Sequence, residues 1–214
     1  MTMYPIQCHA IWSVNKLKQD KINRSTTDLI DGVREIFEAE AAKDTANAPQ
    51  LKRVLALMQE LRPDPDRPEA RQLPGCRNLS RALDLGEAGP AARVASALRA
   101  LEPSLHSAQS TRHNVESRGA YFMYNYAFSS LGLTGSTVMD FGVMLLGPGI
   151  TYPVTSYPSE GVFLLIGGSP EWKSDDEPWV RVEAGSIICR PFDGAEGKRP
   201  GDEPMLALYA WIYQ

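Results

Sequence analysis

The chain has 214 residues, enough to bury a sizeable core as one larger domain or as one domain with a helical extension. A net charge of -4 and a pI near 5.5, without a dense Lys/Arg cluster, argue against nucleic acid or an anionic membrane as the main partner. No segment has the roughly 20 apolar residues of a membrane-spanning helix, and residues 1–21 lack the basic start and apolar run of a signal peptide. We therefore expect a cytoplasmic protein.

Cysteine and histidine do not form a familiar metal or disulfide pattern. Cys8, Cys76 and Cys189 stand far apart, which gives neither a disulfide framework nor a CxxC zinc site. The three histidines all lie within the first 113 residues, and no close His/Cys cluster has the spacing of metal ligands.

The N-terminal half predicts three helices. Apolar residues at helical spacing, preceded by a capping threonine, predict the first helix over about 27–44, and the same spacing predicts the second across 51–61. Residues 64–80 are rich in proline and charge and predict an exposed loop. A third helix is expected over about 88–101.

Short strands separated by Gly, Pro and Asp turns follow. They are predicted at 121–128, 137–146, 161–166, 170–173, 178–182, 186–190 and 205–213. Close antiparallel strands of this kind favour a barrel or jelly roll over βαβ units. We therefore predict a mainly β fold, in which residues 1–118 form a helical segment that packs on a barrel formed by residues 119–214. Trp172 and Trp179 are expected to pack in this barrel.

The first of two motifs lies in a predicted hairpin over residues 149–168. Glycines at its two ends frame Thr155, Tyr157 and Gly161, with one residue between the first two and three between the second and third. This spacing resembles the first signature of the metal-binding cupin barrels, which carry His, His and Glu at the three framed positions. The glycine frame is present, whereas the metal ligands are replaced.

The second motif begins at Gly185 and continues through Pro191 and Asp193 to Glu196. Metal-binding cupins carry Gly at the place of Asp193 and His at the place of Glu196. Two frames with correct spacing and order identify the chain as a member of the cupin superfamily, because Gly and Pro stand where the backbone needs them. The resemblance implies a C-terminal RmlC-like jelly-roll barrel.

The last 95 or so residues resemble a narrower group, the cupin-type dimethylsulfoniopropionate (DMSP) lyases. The resemblance lies in the segments DFGVMLLGPGITYP, YPSEGVF, GSPEWK and EPWVRVEAGSIICRPFDGAEGKRPGDEPMLALYAWIY. That family also has a helical segment before the barrel, and it removes a proton next to the substrate carboxylate to release dimethyl sulfide and acrylate. The resemblance implies a divalent metal that holds the carboxylate and a tyrosine that acts as base.

Carried across by position, the family's metal ligands fall on Thr155, Tyr157, Gly161 and Glu196. Glycine offers no side-chain ligand and threonine a poor one, so one phenol and one carboxylate remain, fewer than a transition metal needs. We therefore expect no bound metal and no other cofactor. The Lewis acid of the inherited reaction would be lost with the metal.

The resemblance also assigns aromatic residues to the pocket. Tyr152 matches a retained pocket tyrosine and is a candidate base, or it is a packed hairpin residue with a satisfied hydroxyl. Tyr157 is a second candidate base, or an aromatic plug in the volume that the metal vacates. Phe163 stands where the family has a second pocket tyrosine. Trp211 matches the pocket tryptophan and either binds a sulfonium or ammonium cation or belongs to the core.

Strand alternation gathers these positions on one face. Thr155, Tyr157, Gly161 and Phe163 are separated by even numbers of residues, so they are expected to point into the barrel. The same alternation directs Glu160 to the opposite face.

Cys189 and Glu196 complete the predicted pocket. Cys189 is expected to point inward, either as a nucleophile or as a buried unreactive thiol, since no histidine lies near it in sequence. Glu196 either binds a cation, or pairs with Arg190, Lys198 or Arg199, or is a solvated loop carboxylate.

Two functions remain open, and with them whether the protein is an enzyme. The first is a metal-free cupin, a weak or inactive homologue of the lyases that binds a small carboxylate or a sulfonium-type ligand. The second is an active lyase that cleaves DMSP to dimethyl sulfide and acrylate, or performs a related β-elimination, with Tyr152, Tyr157 and Glu196 and a weakly bound or unusual metal. Barrel cupins commonly pair edge to edge, which is compatible with a homodimer.

Overall fold

The computed structural model describes residues 6–61, 69–106, 108–109, 124–127 and 139–213. In these ranges the α-helices are α1 Ile6–Ala41, α2 Ala48–Met58, α3 Leu79–Glu87 and α4 Ala92–Leu101. Short 3₁₀ helices at Pro74–Asn78 and Glu102–Ser104 precede α3 and follow α4. None of the described helices is both long enough and apolar enough to cross a membrane.

The strands follow the helices in the chain. They are β1 Ala108–Gln109, β2 Tyr124–Ala127, β3 Met139–Leu146, β4 Tyr152–Ser156, β5 Glu160–Gly167, β6 Glu171–Ser174, β7 Val180–Arg181, β8 Ile187–Arg190, β9 Ala195–Arg199 and β10 Met205–Ile212. They form two antiparallel sheets, ordered β1-β2-β3-β10-β5-β8 and β4-β9-β6-β7. This jelly-roll-like arrangement behind N-terminal helices confirms the predicted fold class.

The helical layer is more extensive than the sequence predicts. The first helix begins at Ile6 rather than near residue 27, and α3 falls partly within the segment predicted as an exposed loop. That prediction is wrong for residues 74–80, because Cys76 and Leu79 are buried. Apolar residues follow at helical spacing along α3 and pack into the core. Their burial stabilises helical structure here, although the preceding segment has the composition of a loop.

The six-stranded sheet has two apolar faces. In β5, Val162, Leu164 and Ile166 pack against the helices, whereas Phe163 and Leu165 point to the other face. This alternation follows from the two-residue repeat of a strand. The helices therefore cover the outside of the barrel, and the second face is left to form its interior.

The segment predicted as a hairpin, residues 149–168, does not pair with itself. Strand β4 pairs with β9 in one sheet, whereas β5 pairs with β10 and β8 in the other. A tight turn at Tyr157–Ser159, closed by the Ser159 N–H donating to the Tyr157 carbonyl oxygen at 2.8 Å, carries the chain across. The hairpin prediction is therefore wrong, and the segment instead supplies both walls of the barrel.

Candidate functional site

The inner faces of the two sheets enclose an aromatic cluster. Strand β4 contributes Tyr152, β5 contributes Phe163, β6 contributes Trp172, and β10 contributes Tyr209 and Trp211. None of the five is more than 7% exposed. Because the strands of both sheets alternate, their inward residues meet in one buried space.

Tyr157 enters this space from the turn after β4. Its hydroxyl is hydrogen-bonded to the hydroxyl of Tyr152. Its ring is stacked with that of Trp211, with 6.1 Å between centroids, and Trp211 is stacked in turn on Tyr209 at 4.1 Å. The two candidate bases therefore lie together in the barrel interior, as the sequence predicts, and each is in contact with the other.

Glu196 lies in the same interior, on β9. Its Oε1 is 2.8 Å from Nζ of Lys198, and its Oε2 is 3.5 Å from Nε of Arg190. All three side chains are no more than 3% exposed. Arg199, the third predicted partner, instead pairs with Glu171 at 2.7 Å. The alternative of a solvated loop carboxylate is wrong, because this part of the chain is a strand paired on both sides.

Three aromatic rings surround the Lys198 ammonium. Its Nζ lies 4.8 Å from the ring centroid of Tyr152, 4.8 Å from that of Phe163 and 4.5 Å from that of Trp172. Ring faces at such distances attract a cation. Burial, the largest cause, lowers the pKa of Lys198 below the ordinary lysine value, while Glu196 opposes this shift. We call Tyr152, Phe163 and Trp172 the aromatic cage.

Lys198 is a functional candidate that no sequence motif marks. From the sequence it is only one of three possible ion-pair partners for Glu196. The two side chains are separated by one residue, so on a strand they share a face. If β9 is recognised as a strand, the spacing of Glu196 and Lys198 is enough to predict that Lys198 points into the barrel.

Arg190, at the end of β8, forms hydrogen bonds with the loop before β5 and with the loop before β9. Its Nη1 donates to the carbonyl oxygens of Tyr157, Ser159 and Gly194 at 3.2, 2.7 and 3.1 Å. A Cβ added to Gly161 would lie 3.2 Å from Arg190 Nη2. The guanidinium therefore occupies the direction in which a glutamate at this position would extend.

The four positions that match metal ligands do not fit a metal. The Thr155 hydroxyl donates to the Pro153 carbonyl oxygen at 3.1 Å, and the Tyr157 hydroxyl is bonded to another phenol. Gly161 has no side chain, and the Glu196 carboxylate already faces two cations. Over the described parts of the chain, no three His, Cys, Asp or Glu residues stand close enough to hold a metal ion.

Cys189 lies outside the barrel interior. It pairs with Val162 and packs against the helix-side core, whereas its neighbour Ile188 packs against the aromatic cluster. The predicted inward direction is wrong because Ile188, not Cys189, stands opposite the inward-facing Phe163. Burial, the largest cause, raises the pKa of the Cys189 thiol to about 12. A thiol so poorly ionised is a weak nucleophile.

A surface cleft of about 490 Å³ lies apart from this interior. Its lining includes Glu171, Arg181 and Arg199, and no member of the aromatic cluster. These charges already have partners: Arg199 pairs with Glu171, and Arg181 donates to the Ser169 hydroxyl at 2.7 Å. The barrel interior is therefore the stronger candidate site.

Comparison with known proteins gives the lineage of this barrel. A family model described as dimethylsulfoniopropionate lyase matches residues 45–207, more than half of the chain. The chain belongs to the DMSP lyase family. The resemblance to the DMSP lyases, drawn from segments of the last 95 or so residues, is thereby confirmed.

Individual DMSP lyases are similar in sequence and in fold. The DMSP lyase DddQ of Ruegeria pomeroyi is 27% identical over 97 residues, which cover 44% of this chain and 48% of DddQ, about half of that relative's length. A crystal structure of the DMSP lyases RdDddP and RnDddQII matches with a TM-score of 0.68 and 20% identity over 89% of this chain and 93% of that chain. The structure of DddQ from Ruegeria pomeroyi matches with a TM-score of 0.59 and 21% identity, over 87% and 91%. At these identities the two structures show a shared fold.

Proposed function

We propose that this chain is a metal-free DMSP lyase-family barrel that binds a small ligand in its interior and has little or no lyase turnover. The observation that carries the proposal is the pair of Glu196 and Lys198. At the position where the family resemblance implies a metal-binding histidine, a carboxylate lies 2.8 Å from an ammonium of this chain.

Electrostatics favours this interpretation. A buried carboxylate requires a counter-charge, and Lys198 and Arg190 supply it from within the chain. A divalent cation placed at the same carboxylate would be repelled by two positive charges that bulk water does not screen. The replacement of the metal ligands and the presence of internal cations therefore both disfavour metal binding.

Release of dimethyl sulfide from DMSP, measured by headspace gas chromatography, tests the proposal. The purified protein is assayed with and without added Zn²⁺, Mn²⁺ or Fe²⁺, beside DddQ of Ruegeria pomeroyi as the active reference. We expect no release above the protein-free background in any condition. Release that depends on an added metal would overturn the proposal.

A second candidate is metal-independent lyase activity. The observation in its favour is that the Lys198 ammonium lies 4.8 Å from the Tyr152 ring, because a nearby positive charge favours a phenolate. In this reaction the Tyr152 phenolate would take the proton next to the carboxylate, the carbon–sulfur bond would break with its electron pair leaving on sulfur, and acrylate would form.

The two candidates are separated by substitution. Metal-insensitive release that Tyr152→Phe abolishes would support the second candidate and overturn the first. Tyr213→Phe is the matched control, since Tyr213 packs against the same cluster but its hydroxyl donates to Asp140 at 2.8 Å. Activity that survives Tyr152→Phe would exclude this phenol as the base.

A further inference from the structure

We propose that the barrel interior binds a small, singly charged anion on the buried donors of Lys198, Trp172 and Trp211. The inference rests on the proposed metal-free interior and adds to it the chemical class of the ligand. Two observations carry it: the balance of buried charge and the two indole donors without acceptors.

The buried charges do not balance. Arg190 and Lys198 are both cations, and Glu196 is the carboxylate that faces them. In the described part of the chain, no second carboxylate forms an ion pair with either cation. One positive charge is therefore in surplus at a site almost closed to water, where an uncompensated charge is costly.

Two indole N–H groups add to the surplus of donors. Nε1 of Trp172 and Nε1 of Trp211 are buried and have no hydrogen-bond acceptor among the residues that the structure describes. Their side chains are 2% and 7% exposed. Buried polar groups in folded proteins nearly always have partners, so orphaned donors point to a bound acceptor.

The ammonium and the two indoles belong to one cluster. Lys198 lies over the Trp172 ring, and Tyr152 links Lys198 to Tyr157, which stacks on Trp211. An ammonium has three N–H donors, and the carboxylate oxygen of Glu196 is near one side of it only. Burial lowers the pKa of Lys198, and an anion beside it would raise this pKa again.

The ligand must be small and carry a single charge. Aromatic rings that are at most 7% exposed line the interior between the sheets. Among such closely clustered rings, an anion of a few atoms is accommodated more readily than a larger metabolite. One negative charge offsets the surplus of one positive charge, whereas a dianion would leave a buried negative charge. Formate, nitrate and chloride meet both conditions.

Thermal unfolding in titrations with sodium formate, sodium nitrate and sodium chloride tests the inference. At saturating anion we expect the Tm of the wild type to rise by about 3 °C or more, with a hyperbolic dependence on concentration. A rise with formate alone identifies a carboxylate site, and similar rises with formate and nitrate identify a general monoanion site. Methylammonium sulfate is the cation comparison, and no saturable rise is expected with it.

Substitutions locate the effect. Trp172→Phe and Trp211→Phe each keep a ring and remove an N–H, and Lys198→Met removes the ammonium. Each should reduce the anion-dependent rise in Tm at least about threefold, because a donor to the anion is gone. Trp179→Phe is the control, since Trp179 lies under Arg199, outside the aromatic cluster, and it should keep the full rise.

Two results would overturn the inference. One is the absence of any saturable rise in the wild type. The other is an equal rise in the wild type and in both interior tryptophan variants, which would be a general salt effect. If Lys198→Met does not fold, the two tryptophan variants decide. Metal uptake would overturn the proposed function, whereas a metal-free barrel with no anion-dependent Tm would overturn this inference alone.

Discussion

The ion pairs of this chain differ sharply in burial, and this difference determines how much each charged residue contributes to the free energy of unfolding. Glu196 and Lys198 are at most 2% exposed, whereas Glu171 and Arg199 are 46% and 40% exposed. Removal of one partner from a buried pair leaves an uncompensated charge, while water replaces the partner at the surface. The interior pair is therefore the more sensitive to substitution.

We expect Glu196→Gln to lower the free energy of unfolding by about 3–5 kcal/mol. The substitution leaves Lys198 and Arg190 buried without a counter-charge. The matched variant Glu171→Gln, in the exposed pair, should change the free energy of unfolding far less, because water replaces the lost partner. Urea unfolding followed by fluorescence measures both, and equal costs would contradict the assignment of a buried ion pair.

The lowered pKa of Lys198 predicts a dependence of stability on pH. Burial, the largest cause, lowers this pKa from 10.5, so between the two values the unfolded chain binds more protons than the folded chain. The penalty for burying the charge is therefore full below the folded pKa and is relieved as pH rises through it. Relative to Lys198→Met, the wild type should therefore gain stability as pH rises through the lowered pKa toward the ordinary lysine value of 10.5.

Urea titrations of both proteins across this range measure the difference in free energy of unfolding. A contribution from Cys189 cancels in this comparison, because both proteins retain it. A difference that is flat or falls with pH would contradict the lowered pKa.

At the scale of elements, close contact between α3 and β5 depends on glycine. A Cβ added to Gly167 would lie 2.3 Å from the Ala82 carbonyl oxygen, and one added to Gly86 would lie 2.8 Å from Cγ2 of Ile166. Both contacts are closer than side-chain atoms tolerate, so the helix can approach the strand only without a Cβ at these places. This approach fixes the helical layer on the outer face of the barrel.

Gly167→Ala should therefore destabilise the protein by about 1–3 kcal/mol, because the new methyl group must push the helix backbone away from the strand. Gly201→Ala is the control, since a Cβ there meets no heavy atom within 4 Å, and its effect should stay within about 0.5 kcal/mol. Denaturant unfolding compares the two. A neutral Gly167→Ala would contradict the close packing of this helix.

The elements also show what the sequence can predict. Strands β5 and β10 are recognisable because both faces are buried, which gives continuous apolar runs. Strand β9 reads AEGKR, a sequence of low strand propensity, and it forms because its neighbours in the sheet pair with it on both sides. Tertiary pairing of this kind leaves no local signal, so Lys198 is missed together with its strand.

Only part of the candidate site can be predicted from the sequence. The resemblance to the two cupin motifs implies that Tyr157 and Glu196 share one interior, because the ligand positions of that family meet inside the barrel. The direction of Cys189 depends on which residue of β8 faces Phe163, and no motif fixes that register. The space occupied by Arg190 beside Gly161 is likewise visible only in three dimensions.

At the scale of the whole molecule, helices and barrel share one core. Apolar residues of the helices and of the outer face of the six-stranded sheet form a single cluster. The predicted boundary between residues 118 and 119 lies outside the described residues and stays a prediction. A shared core nevertheless makes separate unfolding of the two parts unfavourable.

We therefore expect one cooperative thermal transition. Far-ultraviolet circular dichroism reports mainly on the helices. Tryptophan fluorescence reports mainly on the barrel, because three of the four tryptophans lie in the part of the chain that forms it. The midpoints of thermal unfolding measured by the two methods should agree within about 2 °C. Clearly separated midpoints would show that the helical segment and the barrel are independent folding units.

The central claim is that internal cations stand where the family's barrel would hold a metal, and metal stoichiometry tests it most directly. The purified protein is incubated with Zn²⁺, Mn²⁺ or Fe²⁺, unbound metal is removed, and the metal is quantified by inductively coupled plasma mass spectrometry, with DddQ of Ruegeria pomeroyi treated in parallel. We predict less than about 0.1 metal ion per chain, because the four matched positions do not supply the three or four ligands that such a site needs. A value near one metal ion per chain would contradict the claim.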